Sequence, residues 1–360
     1  MTSLLIAFFS SLIATLLIVR YQHLHHRFTA DHDQSGPQKF HEKVVPRVGG
    51  LGLFIALTAI LIYKIITNHS NLAFYGSLYL VSIPAFLIGL LEDITKKIGV
   101  KLRLAMTAIG AYAAIYFLGS QITQVHILGI DTLLAITWIS ILFTVFAITG
   151  LANAYNIIDG FNGLASMVAM ITLLAITYVA FKVGDFAILT LSLVMIGAIA
   201  GFFVWNYPRG LIFLGDGGAY LIGFYIAVLS ILIVNRNPSV SPWFPLMINA
   251  YPIFETLFTI WRRKVHQGKN PGLPDGAHFH SIIYRRIVRW AEVNDDHSAS
   301  FARNAKTSPY LWLLSSMAVF PALIWWDVTW ILQLCALLFC VTYVWMYQAV
   351  VKFKTPRWLK

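Results

Sequence analysis

Charge is scarce in this chain. Only 11% of its 360 residues are Asp, Glu, Lys or Arg, against about 25% in an ordinary soluble domain. A soluble fold of this length is therefore excluded as a good fit. Acidic residues are the scarcer sign, 15 against 26 Lys and Arg, for a net charge of +11 with His neutral. In a soluble protein that excess would suggest nucleic acid. The positive-inside rule of membrane proteins accounts for it more simply, so no nucleic-acid partner is expected. Cysteine is almost absent. Cys335 and Cys340 both lie in the last apolar run, which argues against a disulfide framework. The short alternating segments of a membrane β-barrel are missing too, as are internal repeats and low-complexity tracts. No basic residue precedes the first apolar run, Leu4 to Val19, and Arg20 follows it. A secretory signal has the opposite order, so this run reads as an uncleaved first span with its N-terminus outside.

What the chain has instead is apolar sequence over its whole length, 58% of all residues. The pattern predicts an all-α polytopic membrane protein of about eleven transmembrane helices. The expected spans are 3–19, 48–66, 72–91, 102–118, 132–150, 164–182, 186–204, 217–234, 243–261, 310–326 and 328–350, each of roughly bilayer length. With the N-terminus outside, 23 of the 26 Lys and Arg fall on inside segments, Lys64, Lys182 and Arg236 being the exceptions. That skew predicts the orientation and a cytoplasmic C-terminus. Residues 1–360 are expected to form one integral membrane domain. Its inside segments lie near 20–47, 92–101, 151–163, 205–217 and 262–309.

The unusual residues sit in those inside segments. The most informative is Asn153-Ala154-Tyr155-Asn156-Ile157-Ile158-Asp159-Gly160-Phe161-Asn162-Gly163, read as a loop between two long apolar runs. Helix capping explains one Asn or Asp, not four at three-residue spacing. Its amides, carboxylate and glycines suit metal or phosphate ligation. Glu92 and Asp93 close the third span, where a helix C-terminus repels anions and local structure gives no reason for them. Lys96 and Lys97 follow. Asp216 stands between glycines at the start of an apolar helix, where it caps the helix or where a ligand approaches the backbone. Glu255 lies inside the ninth expected span, where a carboxylate usually faces the bundle interior, and Pro252 is expected to break that helix. His278 and His280, with Arg285 and Arg286 nearby, suit an anionic, phosphorylated ligand. The His-rich stretch His23, His25, His26, His32 and His41 matches no closed metal site and reads as a solvated, headgroup-facing segment. Gly119 to Asp131 reads as a short link or small hairpin. Together, oxygen ligands suit Mg²⁺ shared with substrate phosphates, and the basic groups suit a diphosphate at a membrane surface.

These motifs, in this order, resemble the polyprenyl-phosphate N-acetylhexosamine-1-phosphate transferases of bacterial envelopes. Glu92-Asp93-Ile94-Thr95-Lys96 is similar to that family's Asp-Asp-x-x-Lys. Asn153, Asn156, Asp159 and Gly160 match its Asn-x-x-Asn-x-x-Asp-Gly. Gly215-Asp216 matches its next catalytic loop, and His278-Phe279-His280-Ser281 its His-rich loop. Glu92 replaces an Asp, Asn162 stands where some members have a second Asp, and Ser281 replaces a His. The His loop lacks the three consecutive His of the peptidoglycan enzyme, so the initiating transferases of O-antigen-like polysaccharides are the nearer resemblance. That resemblance implies transfer of N-acetylhexosamine-1-phosphate from a UDP-sugar to undecaprenyl phosphate in the bacterial inner membrane, with the site on the cytoplasmic face. It implies Mg²⁺, with Mn²⁺ as a substitute, held by Asp216 and Asn156. It implies catalytic roles for Asp93, Glu92, Asp159, His278 and His280, and substrate binding by Lys96, Asn153, Asn162, Arg285 and Arg286. A homodimer is compatible with it. Two other classes compete. A transporter would place polar sites at the midplane, but only Glu255 is clearly intramembrane. A CDP-alcohol phosphotransferase would continue Asp-Gly with Ala-Arg, whereas Asp159-Gly160 is followed by Phe161-Asn162-Gly163.

Overall fold

The computed structural model describes residues 1–29, 45–266, 268, 275–288 and 300–352. Among them the chain is helical, with no β-strand. The long helices are α1 (Thr2–Arg20), α4 (Leu72–Thr95), α5 (Val100–Leu118), α7 (Thr137–Ile158), α8 (Leu164–Val183), α9 (Phe186–Asn206), α10 (Gly215–Arg236), α14 (Ser300–Ile324) and α15 (Thr329–Val351). All nine are long and apolar enough to cross a bilayer. The shorter α3 (Gly50–Ile66) has 17 residues and is also apolar. Short helices fill the links: α2 (Gln22–Thr29), α6 (Ile130–Leu134), α11 (Trp243–Ile248), α12 (Ala250–Trp261) and α13 (Phe279–Ile283). This is an all-α polytopic membrane protein.

Helix α10 is the axis of the bundle. Every residue from Gly215 to Ile233 is buried, and α3, α4, α5, α7, α8 and α9 pack around it. A helix apolar on all sides belongs in such a position. The outer helices instead show apolar side chains outward, such as Phe9, Ile13, Tyr116, Trp138, Phe146, Leu337 and Trp345. Where helices approach most closely, small residues replace large ones. Gly197 and Gly201 of α9 lie against the backbone of α1 at Leu4 and Phe8. Small residues at such crossings are what bilayer packing requires, since lipid tails give no hydrophobic push between helices.

Three expectations change. The expected span 243–261 is two helices, and the break falls at Asn249, not at Pro252. Pro252 is the third residue of α12, where a missing N–H leaves no bond unmade. The interrupted backbone is satisfied inside the bundle. Asn249 Nδ2 donates to the Pro245 carbonyl at 2.9 Å, Asn249 Oδ1 accepts from Tyr155 OH at 3.1 Å, and Thr172 Oγ1 donates to the Ile248 carbonyl at 3.0 Å. Non-helical backbone at membrane depth needs such partners. Helix α7 runs on to Ile158, so Asn153 and Asn156 sit on its last turns and only residues 159–163 form the link. The Gly119–Asp131 link is no hairpin. It leads into α6 and is tied down by the Val125 N–H on Asp131 Oδ1 at 2.7 Å.

Candidate active site

The site begins at the N-terminus of α10. The first N–H groups of a helix have no partner within it. Here Asp93, at the end of α4, supplies one from another helix. Its two carboxylate oxygens accept the N–H of Asp216 at 2.8 Å and of Gly217 at 2.9 Å. This tertiary cap explains an acid that α4 alone disfavours. Glycines make the approach possible. A Cβ on Gly89 would lie 2.6 Å from the Asp216 backbone, and one on Gly50 would lie 2.3 Å from the Gly218 nitrogen. The glycines around Asp216, expected to admit a ligand, instead admit neighbouring helices. Gly215 also has φ +77°, a conformation that favours glycine.

Two arginines hold Asp216. Arg47 Nη2 donates to Asp216 Oδ1 at 2.5 Å and its Nε lies 3.4 Å from Asp93 Oδ1. Arg103 Nη1 pairs with Asp216 Oδ2, and its guanidinium lies 5.7 Å from the centre of the Tyr220 ring. Tyr220 OH in turn donates to Asn153 Oδ1 at 2.9 Å. One chain of contacts thus joins α4, α5, α7 and α10. Sequence reasoning counted Arg47 and Arg103 only as charges on inside segments. The available signal was Arg103 itself, a cation that shares with Lys101 the first turn of a helix that is otherwise without charge.

The end of α7 contributes next. Asn156 and Asp159 keep accessible surface, and neither side chain has a hydrogen bond among the described residues. Burial by surrounding protein pushes the Asp159 carboxyl up to about 7, against the pull of Arg47. Asn162 differs. It is buried, its amide donates to the Pro208 carbonyl at 3.3 Å, and its backbone is bound by Asn304 and Ser308. The structure makes Asn162 a strut between the link and α14.

The His segment docks from the other side. His278 Nδ1 lies 2.9 Å from Glu255 Oε1. The His280 ring stacks on His278, centroids 5.2 Å apart and planes 11° from parallel. It also meets Phe161 edge-on at 5.5 Å, and its Nε2 would lie 3.0 Å from a Cβ on Gly160. Burial, helped by His278, pushes the His280 imidazole down to about 3, so its ring is neutral at pH 7. Any role in steadying a diphosphate is through hydrogen bonding, not charge. Asp275 anchors the segment. Against the push of burial, the Ala277 N–H and Arg262 hold its carboxyl below the usual range. Arg262 Nη2 pairs with Asp275 Oδ2.

The acids, amides and histidines that the sequence singled out therefore meet at one end of the bundle. The sequence profile of glycosyl transferase family 4 matches residues 75–234, which include Asp93, Asn153, Asn156, Asp159 and Asp216. The chain is 32% identical over 253 residues to a probable undecaprenyl-phosphate N-acetylglucosaminyl 1-phosphate transferase of Bacillus subtilis (strain 168), covering 69% of this chain and 68% of that protein. It is 30% identical over 258 residues to an undecaprenyl-phosphate alpha-N-acetylglucosaminyl 1-phosphate transferase of Thermotoga maritima, covering 72% and 74%. The chain belongs to glycosyl transferase family 4. It is also 29% identical over 316 residues to a phospho-N-acetylmuramoyl-pentapeptide-transferase of Streptococcus thermophilus, covering 79% and 87%. Membership in this transferase family weighs against the transporter reading.

The remaining predicted residues of this glycosyl transferase family 4 member take varied positions. Glu92 Oε2 accepts the Ile98 N–H at 2.6 Å and folds the chain back after α4. Lys96 is exposed, in the left-handed conformation that ends α4. Arg285 is exposed, and Arg286 donates to the Val351 carbonyl at 3.0 Å. His25 bonds Thr29 Oγ1 in its own short helix and the Ile18 carbonyl near the end of α1. His32 and His41 lie outside the described residues. Three or more His, Cys, Asp or Glu grouped for a metal are not found among the described residues. Mg²⁺ does not require such a cage, because it is commonly bound by one or two protein oxygens plus substrate phosphates. The open oxygens of Asn156 and Asp159, with the carboxylate of Asp216 beyond its two arginines, fit that donor set.

Proposed function

We propose that this protein transfers N-acetylhexosamine-1-phosphate from a UDP-N-acetylhexosamine to undecaprenyl phosphate. The products are UMP and undecaprenyl-diphospho-N-acetylhexosamine, the lipid carrier that starts an O-antigen-like envelope polysaccharide. The observation that carries the reading is the meeting of Asp216, Arg47 and Arg103 at the buried start of α10, in a chain whose relatives are named for this transfer. The basic skew supports a cytoplasmic face for this end of the bundle, in a bacterial inner membrane.

Both substrates are anions, so the first barrier is bringing them together. Arg47 and Arg103 present forked donors suited to phosphate oxygens. In the free protein their charge is balanced by the buried carboxylates of Asp216 and Asp93, which keeps those acids paired until a diphosphate arrives. Asp216 and Asn156 would hold Mg²⁺, or Mn²⁺ in its place, and the ion would polarise the diphosphate and screen its charge. Neutral His280 donates from one ring nitrogen, while Lys96, Arg285 and Arg286 add positive charge at the exposed rim. Asp93 accepts the first N–H groups of α10 with both carboxylate oxygens and so fixes where Asp216 stands.

The test is UMP release by purified protein given undecaprenyl phosphate and a panel of radiolabelled UDP-N-acetylhexosamines. Turnover with one sugar, lost in EDTA and restored by Mg²⁺, supports the reading. No UMP from any member of the panel removes it.

A further inference from the structure

Glu255 is fully buried in α12, below the break at Asn249. A carboxylate inside a membrane bundle is costly and is kept where it has partners and a task. Its partners come from three elements. Oε1 faces His278 Nδ1 at 2.9 Å, the Phe279 N–H at 3.2 Å and Thr259 Oγ1 at 3.4 Å, and Oε2 accepts from Tyr343 OH at 2.5 Å. A side chain that receives a backbone N–H and a phenol is an acceptor, a carboxylate. The nitrogen of His278 that faces it must then carry a proton, which leaves Nε2 as the ring atom able to accept one.

We propose that Glu255 is a positioning residue that holds His278 by its Nδ1–H, so that Nε2 becomes a proton-accepting atom of the transferase site. The proposal rests on the transferase reading for the substrate that His278 meets. The clamp fixes both parts of the segment, the His278 ring and the Phe279 backbone. It is relayed to His280 by ring stacking and from there to Gly160 and Phe161. The step it serves is a proton transfer. A phosphate hydroxyl of the lipid monoester gives its proton to His278 Nε2, and the O–H electron pair stays on the phosphate oxygen as the nucleophile. The imidazolium that forms is paired with the Glu255 carboxylate, the same logic as an acid-oriented histidine base. A bland alternative is that Glu255 only ties α12 to α15. That role would be served by Tyr343 alone and would leave the contact with His278 without consequence.

Two experiments on the full chain in detergent decide it. The first is a double-mutant cycle on UMP release with Glu255→Gln, His278→Asn and the pair. Each single variant is expected to lose roughly 100-fold in kcat, the scale of general-base catalysis, with KM changed little, and the double variant is expected to be no worse than His278→Asn. Losses that multiply would overturn the proposal. Tyr343→Phe, which keeps the packing, is expected to lose a few-fold in activity, and that loss is expected to vanish in the His278→Asn background. Persistence there counts against the proposal. The second needs no turnover. With ¹⁵N-labelled histidine, the His278 signals, identified by their loss in His278→Asn, are expected to show the proton on Nδ1 at high pH. A proton on Nε2 sinks the proposal. If no UDP-sugar yields UMP, the transferase reading fails while the labelled spectrum still decides the Glu255–His278 pairing.

Discussion

Asp93 caps the helix on which Asp216 stands. Its carboxylate takes the Asp216 and Gly217 N–H groups, so the two acids are joined through backbone. Asp93→Asn keeps an acceptor but loses the charge that suits a helix N-terminus. It is expected to lower the thermal midpoint of the purified protein as well as its activity, with a cap loss of about 1–2 kcal/mol. A variant that is inactive but melts like wild type would assign Asp93 to chemistry instead.

Asp216→Asn tests the other member. It leaves the cap in place and removes the charge that Arg47 and Arg103 balance. UMP release is expected to fall about 10²–10³-fold, equivalent to about 3–4 kcal/mol at the transition state. Full turnover in this variant would detach Asp216 from the reaction.

Arg103→Lys keeps the charge but loses the fork. The expected result is a kcat/KM for the UDP-sugar reduced about 10- to 100-fold, the range of about 1.5–3 kcal/mol for a hydrogen bond to a charged group. Steady-state kinetics check it, and an unchanged value would leave Arg103 a structural partner of Asp216.

Gly50→Ala puts a methyl group 2.3 Å from the Gly218 nitrogen, which is backbone and cannot swing aside. Destabilisation of about 1–3 kcal/mol is expected, as for overpacking elsewhere. Gly99, with nothing within 4 Å of its added Cβ, is the control, and Gly99→Ala is expected to melt near wild type. Equal melting of the two variants would refute the close α3–α10 contact.

His280 gives a pH dependence whose sign follows from its burial. The unfolded chain takes up a proton on this imidazole near pH 6.5, whereas the folded ring stays neutral down to about 3. Its contribution is fully present above about 6.5 and is lost as pH falls from there toward about 3, by about 1.4 kcal/mol per pH unit at most. Chemical or thermal melts of wild type and His280→Gln between pH 4 and 8 are expected to converge at low pH. A constant difference across that range would mean that His280 is not desolvated as described.

Much of this protein was legible in its sequence because the bilayer imposes simple rules. Apolar runs of bilayer length and little charge marked the helices, and the same scarcity made Glu92, Asp93, Asp159, Asp216 and Glu255 conspicuous. The i, i+3 spacing of Asn153 and Asn156 marked a candidate segment, although not that α7 would run on to Ile158. What each polar residue touches was not legible, since those partners are far apart in the chain. Asp93 and Asp216 are 123 positions apart, Arg47 and Asp216 are 169, and Tyr343 and Glu255 are 88. No local pattern records a cap supplied by another helix. Asn162 looks like a ligand in its motif and becomes a strut once α14 packs on it. Sequence by itself determined which segments leave water, because transfer free energy is a property of each residue and its near neighbours. Only tertiary structure decided which polar groups are neutralised, capped or left open, because that depends on which helices close around α10.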